Sequence, residues 1–109
     1  MNERMTVPAA PTPAALIRAM RNPDPFARAD ALERAGTAQE LLPILEQVLG
    51  DDYPLVRREA VRALARIGGR DAARALLGAS AHDVSAEVRE EAVAALAGML
   101  RKRDSATRA

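Results

Sequence analysis

The chain has 109 residues, of which 49% are apolar and 28% charged, and its formal net charge is +1. This composition is typical of a soluble folded domain and excludes a disordered or collagen-like chain, while a charge so near neutral does not by itself indicate nucleic acid. The chain has no Cys or Trp, one Phe and one Tyr. This excludes disulfides and thiolate metal sites and favours a core of closely packed helices built from Ala and aliphatic residues.

Residues 1–11 contain two Pro and show no hydrophobic period, which predicts a flexible N-terminal arm. The arm lacks the continuous apolar core of a signal peptide. No run in the chain approaches the roughly 20 apolar residues that a membrane-spanning helix needs. We therefore expect a cytoplasmic protein that makes no contact with a membrane.

The first predicted unit is a helix pair at about residues 12–36. Thr12-Pro13 and Asp24-Pro25 each combine a side chain that can cap a helix with a Pro that suits the first turn. One helix should therefore begin at each of these dipeptides. Gly36 should end the second helix.

The second predicted unit covers about residues 37–68. Thr37 and Glu40 have the spacing of a capping box, and Pro43 should bend the first helix of the unit or delay its start. The second helix should begin at Pro54 and end at Gly68-Gly69, where one glycine is free to adopt a positive φ.

The third predicted unit covers about residues 69–101 and is followed by a basic tail. Its second helix should begin after Ser85, which stands at the cap position. Val93 and Met99 lie on surfaces that a fourth unit would ordinarily cover, which predicts either weak self-association through the terminal helices or docking of a larger partner there. Residues 102–109 are expected to form a flexible tail.

The strongest signal in the sequence is a phrase that occurs twice. The segment DDYPLVRREAVRALARIGG matches HDVSAEVREEAVAALAGML, with Val56 aligned to Val88 (88 − 56 = 32). A weaker copy, NPDPFARADALERAG, aligns Arg28 with Arg57 (57 − 28 = 29). Each unit is therefore predicted to be a helix pair, and about three stacked units are the minimum that buries a continuous core.

The pattern D-x-x-x-x-V-R-x-x-A-V-x-A-L resembles HEAT repeats, in the form found in phycobilisome-lyase-like repeat proteins, over roughly residues 13–101. This resemblance implies an all-α fold, a short right-handed solenoid with the V-R helices on the concave side. Members of the family mostly hold other macromolecules and rarely catalyse reactions. The first unit departs from the pattern, because Asn22 replaces Asp and Ala27 replaces Val, and it is expected to be a capping unit.

The repeated polar residues of the V-R phrase predict a structural ladder between units. Each V-R helix is preceded by an Asp or Asn and carries an Arg in its first turn, and repeated identity of this kind is what stacking requires. The predicted ladder consists of Asn22, Arg28, Asp51, Arg57, Asp83 and Arg89.

Neither a catalytic nor a metal site is predicted. Ser80, His82 and Asp83 crowd into one turn between helices, where a catalytic triad rarely converges. A single His without Cys is a poor basis for a transition-metal site. No cofactor is therefore expected, and the chain is expected not to be an enzyme.

Three arginines that the repeat does not require, Arg58, Arg62 and Arg66, follow one another on one helix face and are called the arginine stripe. Like charges at this spacing repel, so something should offset them. One interpretation is neutralisation by carboxylates on the adjacent helices, Asp30 and Glu33 on one side, Glu90 and Glu91 on the other. The other interpretation makes the stripe a partner-binding surface on the concave face that meets an acidic partner.

The sequence as a whole favours a non-enzymatic adaptor or small scaffold subunit that binds an acidic protein partner. A nucleic-acid-binding protein is an alternative, supported by the arginine stripe and by Arg101-Lys102-Arg103 but weakened by the scarcity of aromatic residues. A subunit or chaperone of a bilin-lyase-type complex is a further alternative, implied by the resemblance alone.

Overall fold

The structure, a computed structural model, describes residues 10–108, with side chains described as far as residue 105. Every regular element in this range is a helix, which confirms the predicted all-α class. In chain order the elements are α1 (Pro13–Ala19), α2 (Pro25–Glu33), the 3-10 helix η1 (Gln39–Leu41), α3 (Leu42–Val48), α4 (Pro54–Ile67), α5 (Gly69–His82) and α6 (Ala86–Arg108). Most of the predicted N-terminal arm lies outside the described residues.

The helices are arranged as three consecutive pairs stacked in two layers. Helix α4 packs between α2 and α6 in one layer, and α3 packs between α1 and α5 in the other. The shortest dimension of the molecule is 20 Å, which matches two helix diameters of about 10 Å. The chain is therefore a short α-solenoid of three helix pairs, as the repeat predicts.

The predicted caps begin three of the helices. Thr12 Oγ1 accepts a hydrogen bond from the N–H three residues later at 3.2 Å, Asp24 Oδ1 from the N–H two residues later at 2.9 Å, and Ser85 Oγ from the N–H three residues later at 3.4 Å. Helix α4 has no side-chain cap, and Asp51 Oδ1 accepts from the N–H of Tyr53 at 2.9 Å in the turn before it. In α1, α2 and α6, side-chain oxygens thus replace the backbone acceptors that a first turn lacks.

The predicted capping box of Thr37 and Glu40 is wrong. The chain enters η1 from Ala38, and no side chain caps either η1 or α3. Because Pro43 lies in the first turn of α3, where a missing N–H costs nothing, the helix begins at Leu42 rather than next to Thr37. Pro43 therefore delays the helix, which is one of the two effects predicted for it.

Helices α4 and α5 are joined by a single residue, Gly68. Gly68 has φ 72° and ψ −172°, and the next residue, Gly69, has φ 88°. These positive φ values lie in a region of backbone conformation that residues with a Cβ rarely adopt. The Gly-Gly dipeptide therefore permits the sharp reversal between the two helices. Gly36 does not have a positive φ, and α2 already ends at Glu33.

Helix α6 is longer than predicted. The sequence predicts a flexible tail from residue 102, whereas α6 continues to Arg108. The segment after Gly98 contains no Pro or Gly, and Leu, Arg, Lys and Ala all have high helix propensity. Helix α6 therefore extends beyond residue 101, where the third unit was predicted to end.

The core lies between the two layers and consists almost entirely of aliphatic side chains. Leu64, predicted to lie in the core, is fully buried. The other large side chains that are fully enclosed come from all three units: Leu16, Leu32, Leu41, Leu45, Val56, Val61, Leu76 and Val88. Ala60, Ala63, Ala72 and Ala92 complete the contacts between helices, which is consistent with the high Ala content.

Candidate interaction surfaces

The repeated Asp and Arg residues form contacts between consecutive units. Arg57 Nε and Nη2 donate to the two carboxylate oxygens of Asp83 at 2.9 and 3.2 Å, and Nη1 donates to the carbonyl oxygen of Asp51 at 2.8 Å. The side chains of Arg57 and Asp83 are only 8% and 6% exposed. Arg57 therefore ties the turn of its own unit to the turn of the next.

Arg28 makes the same contacts one unit earlier. Its Nε and Nη2 donate to Asp51 at 2.9 and 3.1 Å, its Nη1 donates to the carbonyl oxygen of Asn22 at 2.7 Å, and its guanidinium lies 5.6 Å from the centre of the Tyr53 ring. Burial opposes ionisation of Asp51. The hydrogen bonds from Arg28 and from the Tyr53 N–H, together with the charges of Arg28 and Arg57, outweigh it, so the pKa of Asp51 lies below its usual range.

Arg89 makes only part of this set of contacts. Its Nη1 donates to the carbonyl oxygen of Asp83 at 2.7 Å, as the other two arginines do within their own units. Its Nε and Nη2 make no hydrogen bond with any residue that the structure describes. The last of the three repeated arginines is therefore held in position with two donors unused.

Two arginines of the stripe are already paired with carboxylates. Arg62 lies 2.9 Å from Glu59 on its own helix and 3.1 Å from Glu91 on α6, and Arg58 lies 3.6 Å from Glu91 and 3.9 Å from Glu87. The hydrogen bond and charge of Arg62, with a further contribution from Arg58, hold the pKa of Glu91 below its usual range despite partial burial. This part of the stripe is neutralised within the molecule.

Arg66, the third member of the stripe, caps a neighbouring helix. Its Nη2 donates to the carbonyl oxygen of Leu32 at 2.8 Å and to that of Ala35 at 3.4 Å. These carbonyls lie at the end of α2, where the helix dipole favours a cation. Of the four carboxylates predicted to neutralise the stripe, that of Glu91 forms ion pairs with it, and those of Asp30, Glu33 and Glu90 do not.

A large concave surface lies where the end of α4, the first part of α5 and the second half of α6 meet, and we call it the α5–α6 groove. Its volume is about 990 Å³. Its apolar floor is formed mainly by Ile67, Leu77, Leu96, Met99 and Leu100. No Asp or Glu is among the described residues that line the groove. Its rim carries five basic residues: Arg66, Arg70, Arg74, Lys102 and Arg103.

Three of the rim residues are not paired with a carboxylate of the described residues. Arg70, Arg74 and Lys102 are exposed, and none of them makes a hydrogen bond or ion pair with a described residue. Arg70 and Arg74 are not among the residues predicted from the sequence, although their i, i+4 spacing close to the apolar Leu77 is a signal that could have found them. Lys102 was assigned to a tail and joins the groove because α6 continues past residue 101.

The crowded turn near the only histidine does not bring its polar groups together. Ser80 Oγ donates to the carbonyl oxygen of Leu77 at 2.8 Å, and both carboxylate oxygens of Asp83 are bound by Arg57. No group of three or more His, Asp or Glu side chains that could hold a metal ion is present among the described residues. Likewise, no helix in the described part of the chain is long and apolar enough to cross a membrane.

Comparison with known protein families gives a match over most of the chain. The family model for HEAT repeats matches residues 12–97, which span all three helix pairs. No match was found among curated proteins or among solved structures.

Proposed function

Because the chain belongs to the HEAT repeat family, whose repeats generally mediate contacts between proteins, we propose that it is a non-catalytic adaptor that holds an acidic segment of a partner protein in the α5–α6 groove. The observation that carries this proposal is the combination of an apolar floor with a basic rim on which Arg70, Arg74 and Lys102 have no carboxylate partner among the described residues. The phycobilisome-lyase-like subtype is not needed for it.

The chemistry of the groove fits an amphipathic helix with acidic flanks. Such a helix places its apolar side chains in a hydrophobic groove at a spacing of three or four residues. Leu77 is 59% exposed and Leu100 is 62% exposed, so the floor has apolar area that a partner helix would remove from water. Arg70 and Arg74 would bind flanking carboxylates through paired N–H donors, a geometry that an ammonium group does not provide.

The arginine stripe contributes to this proposal only through Arg66, which lines the groove. Arg58 and Arg62 already face carboxylates of α4 and α6, and an acidic partner would have to displace them. Reversing the whole stripe to Glu is therefore a poor test, because new repulsion with Glu91 would destabilise the fold before any partner was added.

A direct test measures the affinity of a short amphipathic peptide with leucines on one face and glutamates on its flanks. The variant Arg70→Glu/Arg74→Glu should lose at least about tenfold in affinity, the loss of a favourable charged contact at each position. A matched control is Arg18→Glu/Arg21→Glu, which changes the net charge equally at exposed positions of α1 and the turn after it. Equal loss in both variants would refute the groove as the binding site.

The apolar floor separates this proposal from nucleic-acid binding. Leu77→Asp should weaken peptide binding at little cost to stability, because Leu77 is already mostly exposed. A nucleic acid would depend on the basic rim and show a steep loss of affinity with salt. Tighter binding of an oligonucleotide than of the peptide, with that salt dependence, would favour the nucleic-acid alternative. A tetrapyrrole that bound and changed its absorbance would favour the bilin alternative.

A further inference from the structure

Arg89 is the last arginine of the ladder, and no following unit supplies the aspartate that Arg28 and Arg57 each bind. Arg28 and Arg57 each use Nε and Nη2 to bind the aspartate of the following unit. Arg89 is held by the same Nη1 contact to its own turn, at 2.7 Å, and its other two donors meet no described residue. A carboxylate arriving in the place that Asp83 occupies for Arg57 would find these donors already oriented.

The surface around Arg89 is one that the inner units bury. Val61 is fully buried against the rest of the stack, whereas Val93, its equivalent in the third unit (93 − 61 = 32), is 56% exposed. Val93 lies in a shallow depression of about 320 Å³. The residues that line the depression are called the end face: Ala86, Arg89, Glu90, Val93 and Ala94.

We propose that the end face is a stacking site for a helix pair of another protein, one whose turn between helices carries an aspartate. The aspartate binds Nε and Nη2 of Arg89, and an apolar side chain of the following helix covers Val93. The first contact is a copy of the one that this chain makes twice between its own units, at Arg28 and at Arg57. The second would bury Val93 as its equivalent Val61 is buried. This inference is independent of the α5–α6 groove.

Glu90 adds a charge requirement to the partner. Glu90 occupies the position that Arg58 holds in the second unit (90 − 58 = 32), and Arg58 faces Glu87 and Glu91 of the next unit. The end face therefore carries a negative charge at the position where the second unit carries a positive one. The partner therefore carries a basic side chain where the third unit carries Glu91.

A second copy of this chain does not meet these requirements. Its first unit has Asn22 at the position of the aspartate. It has Asp30 at the position of Glu91, because Glu91 aligns with Glu59 (91 − 32 = 59) and Glu59 aligns with Asp30 (59 − 29 = 30). An amide cannot give Arg89 two carboxylate oxygens, and Asp30 would approach Glu90 with the same charge. Stacking between copies is therefore disfavoured twice, in contrast to the self-association expected from the sequence.

These differences supply a probe made from the chain itself. The variant Asn22→Asp/Asp30→Lys has the required charges at its first unit, and Val93→Asp added to it blocks its own end face. Asn22→Asp should preserve the turn, because Asn22 Oδ1 accepts from the N–H of Asp24 at 2.9 Å just as Asp51 Oδ1 accepts from that of Tyr53. The matched control probe carries Val93→Asp alone.

The experiment mixes each probe with the wild-type chain and measures the dissociation constant by calorimetry or sedimentation. The triple variant should bind at least about tenfold more tightly than the control probe, the effect of a charged hydrogen-bonded contact. Replacing the wild-type chain with Arg89→Gln, or with a folded Val93→Asp chain, should remove that difference. Equal affinity of the two probes would overturn the proposal. Tight binding by the control probe would also overturn it, because the occupant would then be a second copy.

Discussion

The buried pair of Arg57 and Asp83 gives the sharpest prediction about stability. Replacing Asp83 with Ala removes three contacts of its carboxylate: those to Arg57 Nε at 2.9 Å, to Arg57 Nη2 at 3.2 Å and to the N–H of Ser85 at 2.9 Å. The Arg57 side chain is only 8% exposed in the intact pair, so water cannot replace the lost acceptors in full. Removing one partner of a buried pair of this kind costs about 3–5 kcal/mol.

That cost is large for a domain of this size, whose total free energy of unfolding is expected to be about 5–15 kcal/mol. Urea denaturation followed by circular dichroism gives the free energy of unfolding of wild type and Asp83→Ala. Asp30→Ala is the control, because it removes an ion pair with Arg34 in which the two side chains are 54% and 69% exposed, and such pairs are worth about 0–1 kcal/mol. A loss for Asp83→Ala no larger than that of the control would refute the view that the ladder holds the units together.

Further predictions concern the core, the turn between α4 and α5, and pH. Leu64→Ala, at a fully buried position, should lower the free energy of unfolding by about 2–5 kcal/mol, and a loss below 1 kcal/mol in urea denaturation would contradict the helical register. Gly68→Ala should cost about 1–3 kcal/mol because of its positive φ, whereas Gly78→Ala, in the middle of a helix with open space around its Cβ, should be neutral or stabilising. Because Asp51 and Glu91 have pKa values in the folded state below the usual values, the unfolded chain binds more protons at acidic pH. Their contribution to stability should be complete above the ordinary carboxylate pKa of about 4 and should be lost as the pH falls through the lower folded values, which urea midpoints measured between neutral and acidic pH will show.

The helix pairs could be predicted from the sequence because their signals are local. Caps such as Thr12 and Asp24 act within two or three residues of themselves, and the repeated V-R phrase fixes the helical register. The delayed start of α3 and the length of α6 depend on weaker signals. Thr37 and Glu40 satisfied the spacing of a capping box, but the helix that the box requires does not begin there.

The candidate surfaces were harder to predict because they depend on which residues of different units meet. The stripe could be recognised as an excess of charge, but its partners Glu59 and Glu87 lie on its own helix and one unit further along. Arg66 pairs with backbone carbonyls, which carry no sequence signal. The groove depends on Arg74 and Lys102 lining the same surface. Because residue 102 was predicted to begin a flexible tail, its place beside α5 could not be predicted.

The end face and the α5–α6 groove are close enough along α6 that their two occupants should exclude one another. Val93 and Leu100 are both more than half exposed and are seven residues apart, so they lie on nearly the same face of the helix at a separation of about 10 Å. A stacked helix pair is about 20 Å across, two helix diameters, and would extend over the groove. The Asn22→Asp/Asp30→Lys/Val93→Asp probe should therefore raise the apparent dissociation constant of the acidic peptide for the wild-type chain in proportion to probe concentration, while Val93→Asp alone should not. Unchanged peptide affinity at saturating probe would show that the two surfaces bind independently, and the probe would then have to lie toward the start of α6, away from Leu100.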